Sequence, residues 1–230
     1  MQGLRHDPSQ HVHDALFHHD GCGIDQALLK EALRADIKTT YNMVSVDGDT
    51  STNDTCLVLA NGLAGNPLIA GEGEDYETFK AGLHAVNEAL AKMMAADGEG
   101  ATAMFEVKVV NADTEENARI LARSVVSSSL TKAAIYGHDA NWGRILCALG
   151  YSGVSFDPER VDLSFESEAG FLKIVEDGVS TGYSEEKATE ILSKSAITCT
   201  CDMKMGAASG TAWGCDLTHE YVTINGDYRS

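Results

Sequence analysis

Residues 75–110 read DYETFKAGLHAVNEALAKMMAADGEGATAMFEVKVV. Phe79, Leu83, Val86, Leu90 and Met93/Met94 recur at helical spacing, so Asp75 to Ala96 is predicted as one long amphipathic helix. Asp97-Gly98-Glu99-Gly100 stops it in a turn. From Thr102 to Val110 the period changes to two, and Ala103, Phe105, Val107 and Val109 point one way along a strand. A one-sided helix and a one-sided strand each need a partner layer. The expected fold class is therefore α+β: a layered α/β sandwich with helices outside packed mixed or antiparallel sheets.

The flanking segments extend the same pattern. Towards the N-terminus, DQALLKEALRADI carries Asp25 as a helix cap and places Leu28, Leu29, Ala32 and Leu33 at helical spacing. Tyr41–Val46 alternates like a strand, and Thr55–Ala60 is a short apolar run. Towards the C-terminus, helices are predicted from Thr114 to Ser128, Asn141 to Leu149 and Ser184 to Ser193. Residues 161–176 are predicted as paired strands, and Ala196–Met203 and Glu220–Ile224 as single ones. A strand ending six residues before Ser230 implies an anchored tail.

The bulk properties narrow the class of function. The 230 residues carry a net charge of −18 with no basic cluster, which argues against nucleic acid or an anionic membrane as partner. The acidic surface serves solubility and suits a cationic metabolite. No apolar run approaches the roughly 18 residues that span a bilayer, and MQGLRHDPSQ lacks the apolar core of a secretory signal. A cytoplasmic location is expected. The six cysteines form no CxxC pair, and Cys199 and Cys201 would share one face of a strand as reduced thiols. No metal site is expected.

Three polar segments are candidates for chemistry. Residues 46–55, VDGDTSTNDT, form either an elaborate turn or the wall of a polar pocket. Asp97-Gly98-Glu99-Gly100 sets a carboxylate between two glycines, suited to an ammonium group and equally to a helix stop. His138-Asp139-Ala140-Asn141-Trp142-Gly143-Arg144 is either a ligand site or a helix cap with a packed Trp.

VSVDGDTSTNDT, DGEGAT, ARSVV, DANWGRILCALGYSG, AWGCDLT and YVTINGDYRS occur in this order. Over residues 24–230 the chain resembles the β chain of the ornithine acetyltransferases of arginine biosynthesis. In that family a precursor cuts itself ahead of a threonine, and the α and β chains stay together, usually as two of each. The new N-terminal threonine takes acetyl from N-acetylornithine and passes it to glutamate. Some members also use acetyl-CoA as co-substrate, and no other cofactor is implied. The resemblance implies that Glu99 contacts the substrate amine and that Asn225 and Ser230 contact substrate near the C-terminus. The oxyanion donors would come from the α chain.

Residues 1–23 depart from the family. They hold His6, His11, His13, His18 and His19, show neither helical nor strand periodicity, and contain nothing like the family's TMLxFxTTD opening. With permitted codons for Gln2–Asp20 read one nucleotide later, KGSGMIHPNM, then Cys or Ser, then TMLCFITT becomes allowed. The segment is accordingly read as the product of a shifted frame, with the threonine codon spanning His13 and Asp14. No numbered residue is assigned as the nucleophile, and this exact chain is expected to be inactive alone. The alternative is an inactive binding or structural subunit that keeps the substrate pocket.

Overall fold

The computed structural model describes residues 15–51 and 53–227, with side chains described from Asp20 onward. In chain order the elements are β1 (Ala15–Asp20), α1 (Gln26–Asp36), β2 (Val44–Ser45), β3 (Thr55–Ala60), α2 (Glu74–Ala96), β4 (Met104–Ala112), α3 (Glu115–Val126), α4 (Ser129–Tyr136), α5 (Trp142–Gly150), β5 (Asp162–Ser167), β6 (Gly170–Glu176), β7 (Val179–Ser180), α6 (Glu185–Leu192), β8 (Ala196–Asp202), β9 (Ala208–Cys215) and α7 (His219–Asp227). Among the described residues they fall into two compact units: residues up to 38 together with 49–87, and residues 39–48 together with those from 88 onward. Among the described residues, no helix is long and apolar enough to cross a membrane.

In the first unit, β1 and β3 pair in parallel. Asp25 caps α1 by accepting from the amide of Ala27 at 2.8 Å, as its position ahead of the apolar run predicts. Ala32, Ile69, Tyr76 and Leu83 form a small core, and Tyr76 Oη donates to the Leu28 carbonyl at 3.1 Å. Asp36 at the end of α1 takes Asn87 Nδ2 at 2.5 Å and faces His84 Nδ1 at 2.6 Å.

The second unit is built on a seven-stranded mixed sheet in the order β2-β9-β4-β8-β5-β6-β7. The inward side chains of β4 are Phe105, Val107 and Val109, all fully buried as the alternation predicts. Across the ladder they meet Ile197, Cys199 and Cys201 of β8, which in turn meet Phe165 and Leu163 of β5. α3 packs over β9 and β4, and α6 over β5 and β6. Gly210 and Gly214 lie on the same face of β9, where a Cβ would come within 2.8 Å of the Arg119 amide nitrogen and within 2.8 Å of Val126 Cγ2, respectively. Absent side chains there let α3 lie directly on the strand. The architecture is the expected α+β layering, apolar under α3 and α6, with the polar Glu106, Lys108, Thr198 and Thr200 alternating onto the opposite face.

On the polar face Glu106 is only 5% exposed. Its carboxylate accepts from Trp213 Nε1 at 2.7 Å and Thr198 Oγ1 at 3.3 Å, and pairs with Lys108 at 2.9 Å and Lys92 at 3.5 Å. Burial by itself raises its pKa. The Lys108 and Trp213 hydrogen bonds and the two lysine charges outweigh that and hold it below the usual carboxylate range. A carboxyl depressed on folding stabilises above its unfolded pKa, and this is lost as pH falls through the folded value. The stability gap between wild type and Glu106→Gln, read from urea midpoints, should be widest near neutrality and should close progressively as pH falls through and below the usual carboxylate range. A gap independent of pH would show that the charge contributes nothing.

Four expectations need correction. Glu220–Ile224 is not a strand but part of α7. Thr218 Oγ1 accepts from the Tyr221 amide at 3.2 Å, capping the chain into a helix, and Thr223 Oγ1 then donates to the His219 carbonyl at 3.1 Å. Asn225–Asp227, the described part of the expected tail, belong to this helix, and residues 228–230 lie outside the described residues. Tyr41–Val46 is a 3-10 turn over Tyr41–Met43 followed by the two-residue β2, because Thr40 and Met43 are drawn into the interior. Residues 15–20, expected without regular structure, form β1, since the main chain pairs with β3 whatever the side-chain periodicity. Within α2 the buried residues are Tyr76, Leu83, Asn87, Ala91 and Ala95, while Val86 and Met93 of the expected apolar face are exposed. The buried face is chosen by small residues that admit close packing and by the partner that Asp36 offers Asn87.

Candidate functional site

The loop after α2 carries Glu99, and its shape depends on its glycines. Gly98 sits where a Cβ would lie 2.7 Å from Cys215 Sγ. Gly100 has φ +67°, a left-handed conformation that glycine adopts without strain. A Cβ there would meet the Tyr221 amide at 2.8 Å. The loop is thus pressed between the end of β9 and the start of α7.

Two of the three residues named for substrate contact meet at this point. Asn225 Nδ2 donates to Glu99 Oε2 at 2.6 Å and to the Tyr221 carbonyl at 3.0 Å. Tyr221 Oη donates to Asp47 Oδ2 at 3.0 Å, which brings the first acidic residue of segment 46–55 to the same place. Ser230, the third, lies outside the described residues. Glu99 is half-buried and Asn225 exposed, so a polar solute can reach the pair.

The segment 215–218 holds this arrangement from behind. The Asp216 carboxylate, 3% exposed, accepts from the amides of Thr102 at 2.9 Å and Ala103 at 3.1 Å, and from Thr102 Oγ1. Thr218 Oγ1 donates to the Gly100 carbonyl at 2.8 Å. Beneath it, Lys132 of α4 is 1% exposed, and its ammonium donates to the Cys215 carbonyl and lies 3.7 Å from Cys215 Sγ. Burial pushes the Lys132 pKa down, against the opposing effects of Cys215, Asp216 and Asp47. Burial likewise raises the Cys215 thiol despite the nearby lysine.

Lys132, Asp216 and Thr218 are not among the residues singled out from sequence. Asp216 and Thr218 both lie within AWGCDLT, and the sequence signal for them is only that quoted motif. Lys132 carries a subtler one: a lysine among apolar and small residues behind the cap Ser128.

The other candidates resolve differently. Asn141 caps α5 by accepting from the Arg144 amide at 3.3 Å, Trp142 packs on the core, and Arg144 Nη1 donates to the Leu130 carbonyl at 2.8 Å. Segment 138–144 is therefore a helix cap with a packed Trp. In segment 46–55, Asn53 N donates to Ser51 Oγ at 3.2 Å and Thr55 Oγ1 to the Asn53 carbonyl at 3.3 Å, a turn bonded to itself, while Asp47 joins the Glu99 site. Cys199 and Cys201 are buried with sulfurs 3.9 Å apart, and their mutual contact and burial hold the Cys199 thiol protonated. Among the described residues, no three His, Cys, Asp or Glu side chains converge as metal ligands.

Comparison with known proteins gives one consistent answer. Arginine biosynthesis bifunctional protein ArgJ 1 of Clostridium acetobutylicum is 49% identical over 207 residues, 90% of this chain and 51% of that protein. The ArgJ protein of Symbiobacterium thermophilum is 51% identical, again over 90% of this chain and 50% of its own length. The chain spans about half the length of the curated relatives it matches. The crystal structure of arginine biosynthesis bifunctional protein ArgJ from Bacillus halodurans superposes with a TM-score of 0.88 at 42% identity, covering 93% of this chain and 99% of the solved one. The ArgJ family profile matches residues 19–230, and the chain belongs to the ArgJ family.

Proposed function

We propose that this chain is the β-type half of an acetyltransferase of arginine biosynthesis, in which the Glu99–Asn225 pair receives the substrate amine. The 2.6 Å bond from Asn225 Nδ2 to Glu99 Oε2 carries the reading. It orients a reachable carboxylate while using only one of its several acceptor positions, leaving capacity for an ammonium. Ser230 is the third contact. The relatives named for arginine biosynthesis support the assignment.

The chemistry follows from the weakness of an amide as an electrophile. A threonine oxygen attacks the acetyl carbonyl of N-acetylornithine, the carbon–nitrogen bond breaks, and ornithine leaves with its amine protonated. The glutamate amine then attacks the acetyl ester and frees the threonine. Oxyanion donors come from the upstream half, the α chain, held with this one as two copies of each after autocatalytic cleavage. Acetyl-CoA serves as an additional donor where the pocket accepts it, and the enzyme works in the cytoplasm. The threonine is absent from the chain as written, and its codon spans those of His13 and Asp14 in the neighbouring frame. The DNA over the codons of Gln2–Asp20 tests this directly: a shifted frame without a TML stretch sinks it.

With the upstream half and its threonine supplied, Glu99→Gln should lower kcat/KM for N-acetylornithine roughly a hundredfold, the loss of one charge-assisted contact of about 2–3 kcal/mol. Unchanged kinetics would remove Glu99 from the site. A second reading rests on the departure in residues 1–23: a subunit that binds ornithine without transferring acetyl. Binding without turnover, after a threonine start has been restored, would select it. Turnover by the 230-residue chain alone would contradict the frame assignment.

A further inference from the structure

Lys132 is a costly residue where it stands. Its side chain is 1% exposed, and its ammonium is satisfied by the Cys215 carbonyl rather than by a direct carboxylate pair. A methionine would fill such a space without the desolvation penalty of a buried charge. The helix that carries it meets the same stretch a second time, through the Leu217 amide donating to the Lys132 carbonyl at 3.3 Å. Two bonds from one residue therefore fix segment 215–217 against α4.

That segment grips both halves of the candidate site. On one side Asp216 holds the amides of Thr102 and Ala103, and the Asp216 amide donates to the Ala103 carbonyl at 3.1 Å. Thr218 holds the Gly100 carbonyl. The loop bearing Glu99 is thus pinned along 100–103. On the other side Thr218 caps the helix that bears Asn225. A shift of segment 215–218 would move loop and helix independently and open the 2.6 Å bond between Glu99 and Asn225.

We propose that Lys132 is a positioning residue for the Glu99–Asn225 pair: its ammonium anchors the Cys215 carbonyl, and through segment 215–218 it sets where the two side chains meet. The functional part of this rests on the reading of that pair as the site for the substrate amine. The anchoring part does not.

The test uses Lys132→Met and Lys132→Gln in the full chain assembled with its upstream half. Amide exchange and calorimetric titration with ornithine are compared with wild type and Glu99→Gln. Lys132→Met should speed exchange over residues 98–103 and 220–225 by roughly tenfold or more while β5 and β6 keep their protection. The ornithine Kd should rise about tenfold. Lys132→Gln, which still donates a hydrogen bond, should recover part of both effects. Unchanged exchange in the two segments, or an equal rise across β5 and β6, would overturn the proposal. So would two variants that fail to fold, because Lys132 would then be a folding determinant. If Glu99→Gln leaves ornithine affinity unaltered, the amine-site reading falls alone, and the exchange comparison still decides the role of Lys132.

Discussion

Phe165→Ala should cost the second unit about 3–5 kcal/mol, the usual result of emptying a large buried aromatic site. Phe165 is 1% exposed at the middle of β5, opposite Cys199 of β8 and Leu172 of β6, with α6 packed over the strand. Its neighbours are held in a sheet ladder and cannot collapse into the space. In a domain of this size the loss corresponds to a fall in Tm of roughly 6–20 °C. Urea and thermal unfolding monitored by near-UV dichroism would measure it. A loss under about 1 kcal/mol would mean that β5 is not packed as described.

Gly214→Ala should be comparably damaging for the opposite reason. The added Cβ would stand 2.5 Å from the Ser45 carbonyl oxygen and 2.8 Å from Val126 Cγ2. One obstacle is main chain of β2 and the other is a side chain of α3, so neither is a flexible tip that can swing away. Overpacking of this kind costs about 1–3 kcal/mol or more. The least resistant partner is β2, whose two residues pair only Trp213 and Gly214. Its release would carry Asp47 from Tyr221. Fast amide exchange at Val44 and Ser45, together with a lowered Tm, is the expected signature. Intact protection at both residues with an unchanged Tm would refute the close approach.

The elements legible in the sequence were those in which local and tertiary demands agree. Asp25, Thr114 and Ser184 cap helices just where an apolar period begins. Phe105, Val107 and Val109 alternate and are all inside. Elements were missed where packing overrules local preference. β9, ASGTAWGC, has the glycine content of a loop because α3 lies on it. α7 contains the β-favouring run Tyr221-Val222-Thr223-Ile224, yet the hydroxyl of Thr218 and the bond from Asn225 Nδ2 to the Tyr221 carbonyl support helix. α4 is short and buries a lysine on the face a sequence reader expects to be wet. For the site, Glu99 and Asn225 were named through a family resemblance. Their hydrogen bond joins positions 126 residues apart, beyond the reach of any local pattern.

The position of β9 between β2 and β4 has a temporal consequence for a chain made from one end. β4 acquires its parallel neighbour β8 first, and its other edge stays open until β9 is delivered. At a synthesis rate of about 5–20 residues per second, the stretch from Ala112, the end of β4, to Cys215, the end of β9, takes roughly 5–20 s to emerge. Throughout that interval the nascent protein shows an unpaired sheet edge beside Phe105, Val107 and Val109, a template for association with other chains. The strand that completes the sheet is followed immediately by the segment that assembles the Glu99–Asn225 pair. Closing the sticky edge and forming that pair are therefore one late event in the birth of the molecule.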